Sequence, residues 1–264
     1  MENPRRYGKA PFAVAVVHGG PGAGGEMAPV ARVLSSDFGV LEPIQTASTV
    51  QGQVQELKLI LEENGDIPIK LVGFSWGAWL SFIFAARFPS MVERLILIGS
   101  GPYEERYAEG IDETRICRLG IEKRAEIESI MKALADPKPD GKDLALERIG
   151  ALFSKTDAYD PIDCESAALE CRADIFQGVW NEAADLRRSG KLLELGRSIQ
   201  CPVVAIHGDY DPHPAEGVQA PLGAVLKRFR FILLKNCGHK PWIERSSRRI
   251  FYRILREELL LASP

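Results

Sequence analysis

Ser75 stands between two glycines in Gly73-Phe74-Ser75-Trp76-Gly77, where the apolar run Ile67 to Gly73 gives way to a helix-like pattern starting near Trp76. A serine hydroxyl is a weak nucleophile at neutral pH; it gains reactivity from an adjacent base and from donors aimed at the oxyanion it creates. Strand, sharp turn and helix are the context a nucleophile elbow requires, with the serine strained and its Oγ exposed. Glycine at 73 and 77 then has a reason, because a Cβ at either position would meet neighbouring backbone. The same five residues also fit an ordinary tight turn, so the remaining chemistry has to come from elsewhere in the chain.

Two further places supply it. His18-Gly19-Gly20-Pro21-Gly22 follows the apolar run Phe12 to Val17, and a glycine-rich loop there can aim backbone N–H groups at an oxyanion without side chains in the way. Gly20 and Trp76 are the expected donors, with Gly19 in reserve. Late in the chain, Pro202 to His207 runs into Gly208-Asp209-Tyr210-Asp211-Pro212-His213-Pro214, and Arg230 to Lys235 runs into Asn236-Cys237-Gly238-His239-Lys240-Pro241-Trp242. An acid and a histidine thus end successive strands, in the chain order Ser75, Asp211, His239. His239 would take the serine proton and return it to the leaving group. Asp211 would accept the other imidazole N–H and fix its tautomer.

Each role has a rival. Asp209 could serve as the acid, as could Glu104 or Glu105 after the strand ending at Gly99. His213 reads as a solvated residue of a proline-rich surface turn, whereas His18 and His207 end strands and read as structural hydrogen-bonders. Cys237 lies on neither an elbow nor a helix start, and reads as an ordinary thiol.

The elements that must position these residues are legible as apolar, β-branched runs: Phe12 to Val17, Val40 to Ile44, Ile67 to Gly73, Val92 to Gly99, Pro202 to His207 and Arg230 to Lys235. Unbroken runs of this kind suit strands covered on both faces. Helical patterns over Val50 to Glu63, Trp76 to Arg87, Ala215 to Lys227 and Trp242 to Leu261 alternate with them, which predicts a doubly wound, mostly parallel α/β sheet of about six strands. Its first strand is central, so His18 and Ser75 flank one crevice. Residues 101–199 contain no convincing strand. They carry helix-like segments, Thr114 to Leu134, Asp143 to Phe153, Cys164 to Ala184 and Ser189 to Ser198, divided by Asp136 to Gly141 and Asp160 to Asp163. This predicts a helical cap inserted in a core of residues 1–100 and 200–264, since structureless connections of that length are rare.

With these four motifs in this order, the chain resembles the α/β-hydrolases over nearly its whole length. His18-Gly-Gly-Pro-Gly22 together with Trp76 after the serine is similar to the prolyl aminopeptidase-like branch. The resemblance implies Ser75, Asp211 and His239 as the triad, with Gly20 and Trp76 as oxyanion donors. It departs in two ways. About ten residues precede the first strand, so the family's initial antiparallel hairpin is missing. The cap carboxylates that hold a substrate amine in prolyl aminopeptidases have no matched positions; Glu165, Glu170, Asp174 and Glu182 read instead as a solvated helix face. Serine at 75 also argues against the related dehalogenases and epoxide hydrolases, which use an aspartate nucleophile, while lyases and C–C hydrolases with the same triad stay open.

Composition sets the outer bounds. A chain of 264 residues with 45% hydrophobic and 26% charged residues makes one large domain with an insertion. Its net charge of −3 offers no broad positive field for nucleic acid or anionic membranes. No apolar run reaches the length of a membrane helix, and the first run is too short for a signal-peptide core, so a cytoplasmic location is the default. Five cysteines, an odd number without Cys-x-x-Cys, read as reduced thiols; Cys164 and Cys171 are expected to pack rather than pair. The strand edge beside the short N-terminus would either be open for pairing or be covered by the first dozen residues.

The functional expectation is a serine hydrolase that cleaves a small ester, thioester or amide through an acyl-enzyme, with a small-molecule substrate and no metal or cofactor. Phe153, Phe176, Trp180 and Leu186 are candidate pocket-lining residues of the cap. The alternatives are a prolyl aminopeptidase-like peptidase and, from another class, a non-catalytic receptor on the same scaffold.

Overall fold

The computed structural model describes residues 2–135, 141–162 and 170–261. In chain order the elements are β1 (Arg5–Tyr7), β2 (Val14–Val17), β3 (Ala23–Gly24), α1 (Ala28–Leu34), β4 (Val40–Glu42), α2 (Val50–Asn64), β5 (Ile69–Phe74), α3 (Trp76–Arg87) and β6 (Val92–Ile98). Then follow α4 (Ile111–Leu119), α5 (Ile121–Ala135), α6 (Lys142–Thr156), β7 (Glu170–Cys171), α7 (Ala173–Arg188) and α8 (Lys191–Glu194). The chain closes with β8 (Val203–Gly208), α9 (Glu216–Val225), β9 (Phe229–Leu234) and α10 (Arg248–Leu260).

The main sheet has seven strands in the order β1-β4-β2-β5-β6-β8-β9. Six of them, β4, β2, β5, β6, β8 and β9, are the six expected apolar runs, joined by five pairings that are all parallel. The seventh strand is an addition: Arg5–Tyr7 pairs antiparallel with Val40–Glu42 and covers the edge. Its three residues, Arg-Arg-Tyr, carry no apolar alternation; backbone pairing is joined by the Tyr7 hydroxyl donating to Glu42 at 2.7 Å and by Arg5 beside the same carboxylate.

Period-2 alternation explains why the strands look uniformly apolar. Ala15, Val17, Leu95 and Leu97 pack into one layer with α2, α3 and α9, while Val14, Val16, Ile96 and Ile98 pack into the other with α1 and α10. Both faces are buried, so no position needs to be polar. The order reverses beside β2, with Val17 opposite Gly73, which puts the C-terminal ends of β2 and β5 side by side.

The insertion is helical apart from β7, which pairs antiparallel with β3 just after the glycine-rich loop. Helices α4 to α6 share a small core of Ile127, Leu146, Ile149 and Leu152. The expected helix from Cys164 starts instead at Ala173; residues 163–169 lie outside the described residues. Helix α7 belongs as much to the core as to the cap. It buries Ile175, Val179 and Ala183 against the α2–α3 layer, where a Cβ on Gly178 would stand 2.3 Å from the Ser48 carbonyl oxygen. Among the described residues no helix is long and apolar enough to cross a membrane.

One buried ion pair ties the last helix to the sheet. Arg94 on β6 donates to Glu258 on α10 at 3.0 Å, with both side chains nearly inaccessible, and Arg230 on β9 reaches the other carboxylate oxygen. Removing one partner of such a pair leaves an uncompensated charge in a dry environment. Glu258→Ala is therefore expected to lower unfolding stability by about 3–5 kcal/mol, read as a shift of the urea midpoint.

Candidate active site

Ser75 joins β5 to α3 with φ 52 and ψ −115, one of two non-glycine residues with positive φ among the described residues. A serine in that region is strained, and the strain persists only where the surroundings over-determine it. Here they do. Ser75 N–H donates to the Ile98 carbonyl at 2.9 Å. A Cβ on Gly73 would lie 2.2 Å from the Gly77 carbonyl oxygen, and one on Gly77 would lie 2.4 and 2.5 Å from the carbonyl oxygens of Val17 and His18. Glycine at both positions lets the start of α3 rest on the end of β2. That contact brings the first N–H of α3, at Trp76, beside the loop His18–Gly22. A first-turn helical N–H has no intrahelical acceptor. The Trp76 indole is held in place by a 2.9 Å bond to Gln53. The loop itself turns through Gly20 (φ 37) and Gly22 (φ 78), with Ala23 N–H on the Gly20 carbonyl.

The acid and base meet at the ends of β8 and β9. His239 Nδ1 is 2.7 Å from Asp211 Oδ2. A Cβ on Gly99 would be 3.1 Å from the same nitrogen, and the Phe74 ring packs on the His239 ring with centroids 4.8 Å apart. The imidazole therefore stands directly against the strand end that carries Ser75. Among the described residues His239 is hydrogen-bonded through Nδ1 and its backbone N–H only, so the serine hydroxyl is not bonded to it here; such bonds are commonly long without substrate.

Asp211 carries a second imidazole. His213 donates its backbone N–H to Oδ1 at 2.9 Å, and its Nδ1 lies 2.7 Å from the same oxygen. This corrects the reading of His213 as solvated: it is 9% exposed, folded over the acid by the Asp-x-His turn. Burial alone would raise the Asp211 pKa, but the imidazoles of His239, His213 and His207 more than offset it and hold the carboxyl well below the usual range. Burial also lowers the His213 pKa, against partial opposition from Asp211. An ionised carboxylate only accepts, so both rings present N–H at Nδ1.

The rivals are occupied elsewhere. Asp209 accepts from Cys237 N–H and pairs with Lys235, while Glu104 pairs with Arg106 and Glu105 with Arg187. His18 lies 2.7 Å from the Gly19 carbonyl and His207 2.8 Å from the His213 carbonyl, both structural bonds. Burial pushes the Cys237 thiol up to about 12, leaving it protonated and inert.

Sequence reasoning missed how the cap is fastened to both loops. His239 N–H donates to the Asp157 carbonyl at 2.7 Å, and the Asp157 carboxylate takes a forked bond from Arg115 on α4. The fully buried Glu244 carboxylate accepts from the N–H groups of Tyr159, Asp160 and Gly238. On the other side Arg172 N–H donates to Gly22. Lys240 pairs with Glu26 at 2.7 Å, bridging the histidine loop to the glycine-rich loop. Burial disfavours that ammonium, but Glu26 more than compensates and the Lys240 pKa is raised. These partners are set by tertiary contact; only the Asp211-x-His213 spacing left a local signal.

Of the expected pocket residues, Phe176 and Trp180 stack in series on Trp79 of α3, with centroids 5.9 and 6.0 Å apart. Phe153 lies under the Arg115 guanidinium. Leu186 is not with them: it lines an open groove of about 710 Å³ between α2 and α7, together with Val50, Arg87, Glu182 and Lys191. None of Ser75, Asp211 and His239 borders that groove, so its size does not make it the site.

A family model described as the alpha/beta hydrolase fold matches residues 13–116. No curated protein matches the chain. Among solved structures it is similar to VinJ, at 18% identity and TM-score 0.70, covering 97% of this chain and 93% of that one. An esterase from Thermogutta terrifontis aligns at 18% identity and TM-score 0.63 over 97% and 92%. The 2-hydroxy-6-oxo-6-phenylhexa-2,4-dienoate hydrolase of Rhodococcus sp. strain RHA1 aligns at 18% and TM-score 0.62 over 98% of both chains.

His213→Ala removes a bond to a buried charge and leaves Asp211 Oδ1 with one donor fewer. It is expected to cost about 1.5–3 kcal/mol of stability, measured by urea unfolding at neutral pH, with His213→Asn losing less.

Proposed function

This chain has the α/β-hydrolase fold, and on that premise we propose that it is a serine hydrolase cleaving a small ester, thioester or amide through an acyl-enzyme. The observation that carries the reading is the strained Ser75 next to Phe74, whose ring packs on the His239 imidazole, with Nδ1 of that imidazole held by a buried, ionised Asp211. His239 takes the proton from Ser75 Oγ as it attacks the substrate carbonyl, and then protonates the leaving group. Asp211 holds the tautomer and balances the imidazolium. The backbone N–H groups of Trp76 and Gly20 receive the oxyanion, and water completes the cycle by the same route.

Ester-type substrates are favoured over an N-terminal proline by what the cap carboxylates do. Among the described cap carboxylates, Glu182 already accepts the Val50 N–H and Asp174 pairs with Arg172, which weighs against either holding a substrate amine. The stacked Phe176 and Trp180 suit an acyl group with an apolar part.

The test is turnover of short p-nitrophenyl esters against prolyl and other aminoacyl naphthylamides. Ester hydrolysis that falls by about 10⁴-fold or more in Ser75→Ala, with little amide turnover, is the expected result. Faster release from prolyl naphthylamide would move the peptidase reading ahead, and no turnover of any acyl substrate by folded protein would contradict both.

A further inference from the structure

The triad needs one imidazole on its acid, and this protein has two. His213 and His239 each stand 2.7 Å from the Asp211 carboxylate, on opposite oxygens, with their rings facing at a centroid separation of 4.7 Å and a tilt of 30°. Among the described residues these three side chains form a group in which one ligand-type atom from each lies within 4.8 Å of the others, and all three are buried. The chain's other two histidines, His18 and His207, are tied to backbone carbonyls.

The chemistry of the set is that of a borderline transition metal. Two imidazoles and one carboxylate suit zinc or a neighbouring divalent ion far better than calcium or magnesium, which prefer oxygen. The ligand-type atoms converge at the Asp211 carboxylate, with both Nδ1 atoms 2.7 Å from its oxygens. The Asp211 charge also offsets part of the charge of an incoming dication in a buried place.

We propose that Asp211, His213 and His239 form a site for one divalent transition-metal ion of the zinc class, and that its occupation silences Ser75. Held by the two Nδ1 atoms and an Asp211 oxygen, the ion shifts the His239 proton from Nδ1 to Nε2, the nitrogen that would otherwise accept the serine proton, so it acts as a reversible inhibitor. His213 supplies what an ordinary triad lacks for this. The inhibitory consequence rests on the function proposed above, whereas metal binding itself does not.

The experiment is equilibrium dialysis of the full chain with zinc chloride, in a Cys117→Ser background that removes an exposed thiol, alongside Ser75 labelling by a fluorophosphonate with and without zinc. One ion per chain is expected, with labelling slowed by zinc and restored by a chelator. Ser75→Ala should bind zinc as the parent does. His213→Asn and His239→Asn, each shown to be folded by circular dichroism, should bind more than about tenfold more weakly. No saturable zinc binding by the folded parent, or binding by His213→Asn at the parent's affinity, would overturn the site. Zinc bound at these residues with labelling unslowed would overturn the inhibition. A protein that never labels, with or without zinc, would count against the proposed hydrolase alone, because the dialysis still reports the site.

Discussion

A carboxylate without solvent is expensive, and Asp211 keeps its charge only because imidazoles surround it. Its side chain has no accessible surface; one oxygen faces His239 and the other takes two donors from His213, with the His207 ring close behind. Much else in the core follows from that arrangement. His207 ends β8, His213 closes the turn after it, and His239 follows β9, so the strand pairing that runs from Val203 opposite Phe229 to Gly208 opposite Leu234 is what brings the rings to the acid. A buried charge held this way fixes the structure around it, since the bond that satisfies Asp211 also sets the His239 tautomer.

The other half of the site is set by close approach rather than charge. Gly77 lets α3 lie on the carbonyls of Val17 and His18, and Gly73 lets the turn close on Gly77. The strained Ser75 is held between these contacts and its bond to Ile98. The cap then braces both halves. Asp157 holds the backbone of His239, Arg172 holds Gly22, and Lys240 with Glu26 joins the two loops by charge. The histidine loop and the glycine-rich loop are thus tied to the helical insertion by backbone bonds, which makes the insertion part of the geometry around Ser75.

How much of this could be read from residues alone depended on whether the cause was local. The six parallel strands were legible because burial on both faces forces an unbroken apolar run, as in Val14–Val17 and Ile69–Phe74. The elbow was legible because two close backbone contacts demand two glycines at fixed spacing. Arg5–Tyr7 was not, since its side chains are held by Glu42, 35 or more residues away, and leave no apolar pattern. His213 was misread because its flanking prolines mark a surface turn in general, while here the turn folds inward onto Asp211. Leu186 was placed with the pocket on apolarity, yet its position on α7 turns it toward α2. Asp157, Glu244 and Lys240 act through partners 42 to 214 residues away along the chain or through backbone atoms, and no spacing rule reports that.

The central claim is that the Asp211–His239 pair activates Ser75. Intact-mass spectrometry after fluorophosphonate treatment at neutral pH tests it most directly, on the parent protein, Ser75→Ala and His239→Ala. One adduct on the parent alone, mapped to Ser75, is the predicted result. An unmodified parent that is folded, or an equal adduct on His239→Ala, would contradict it.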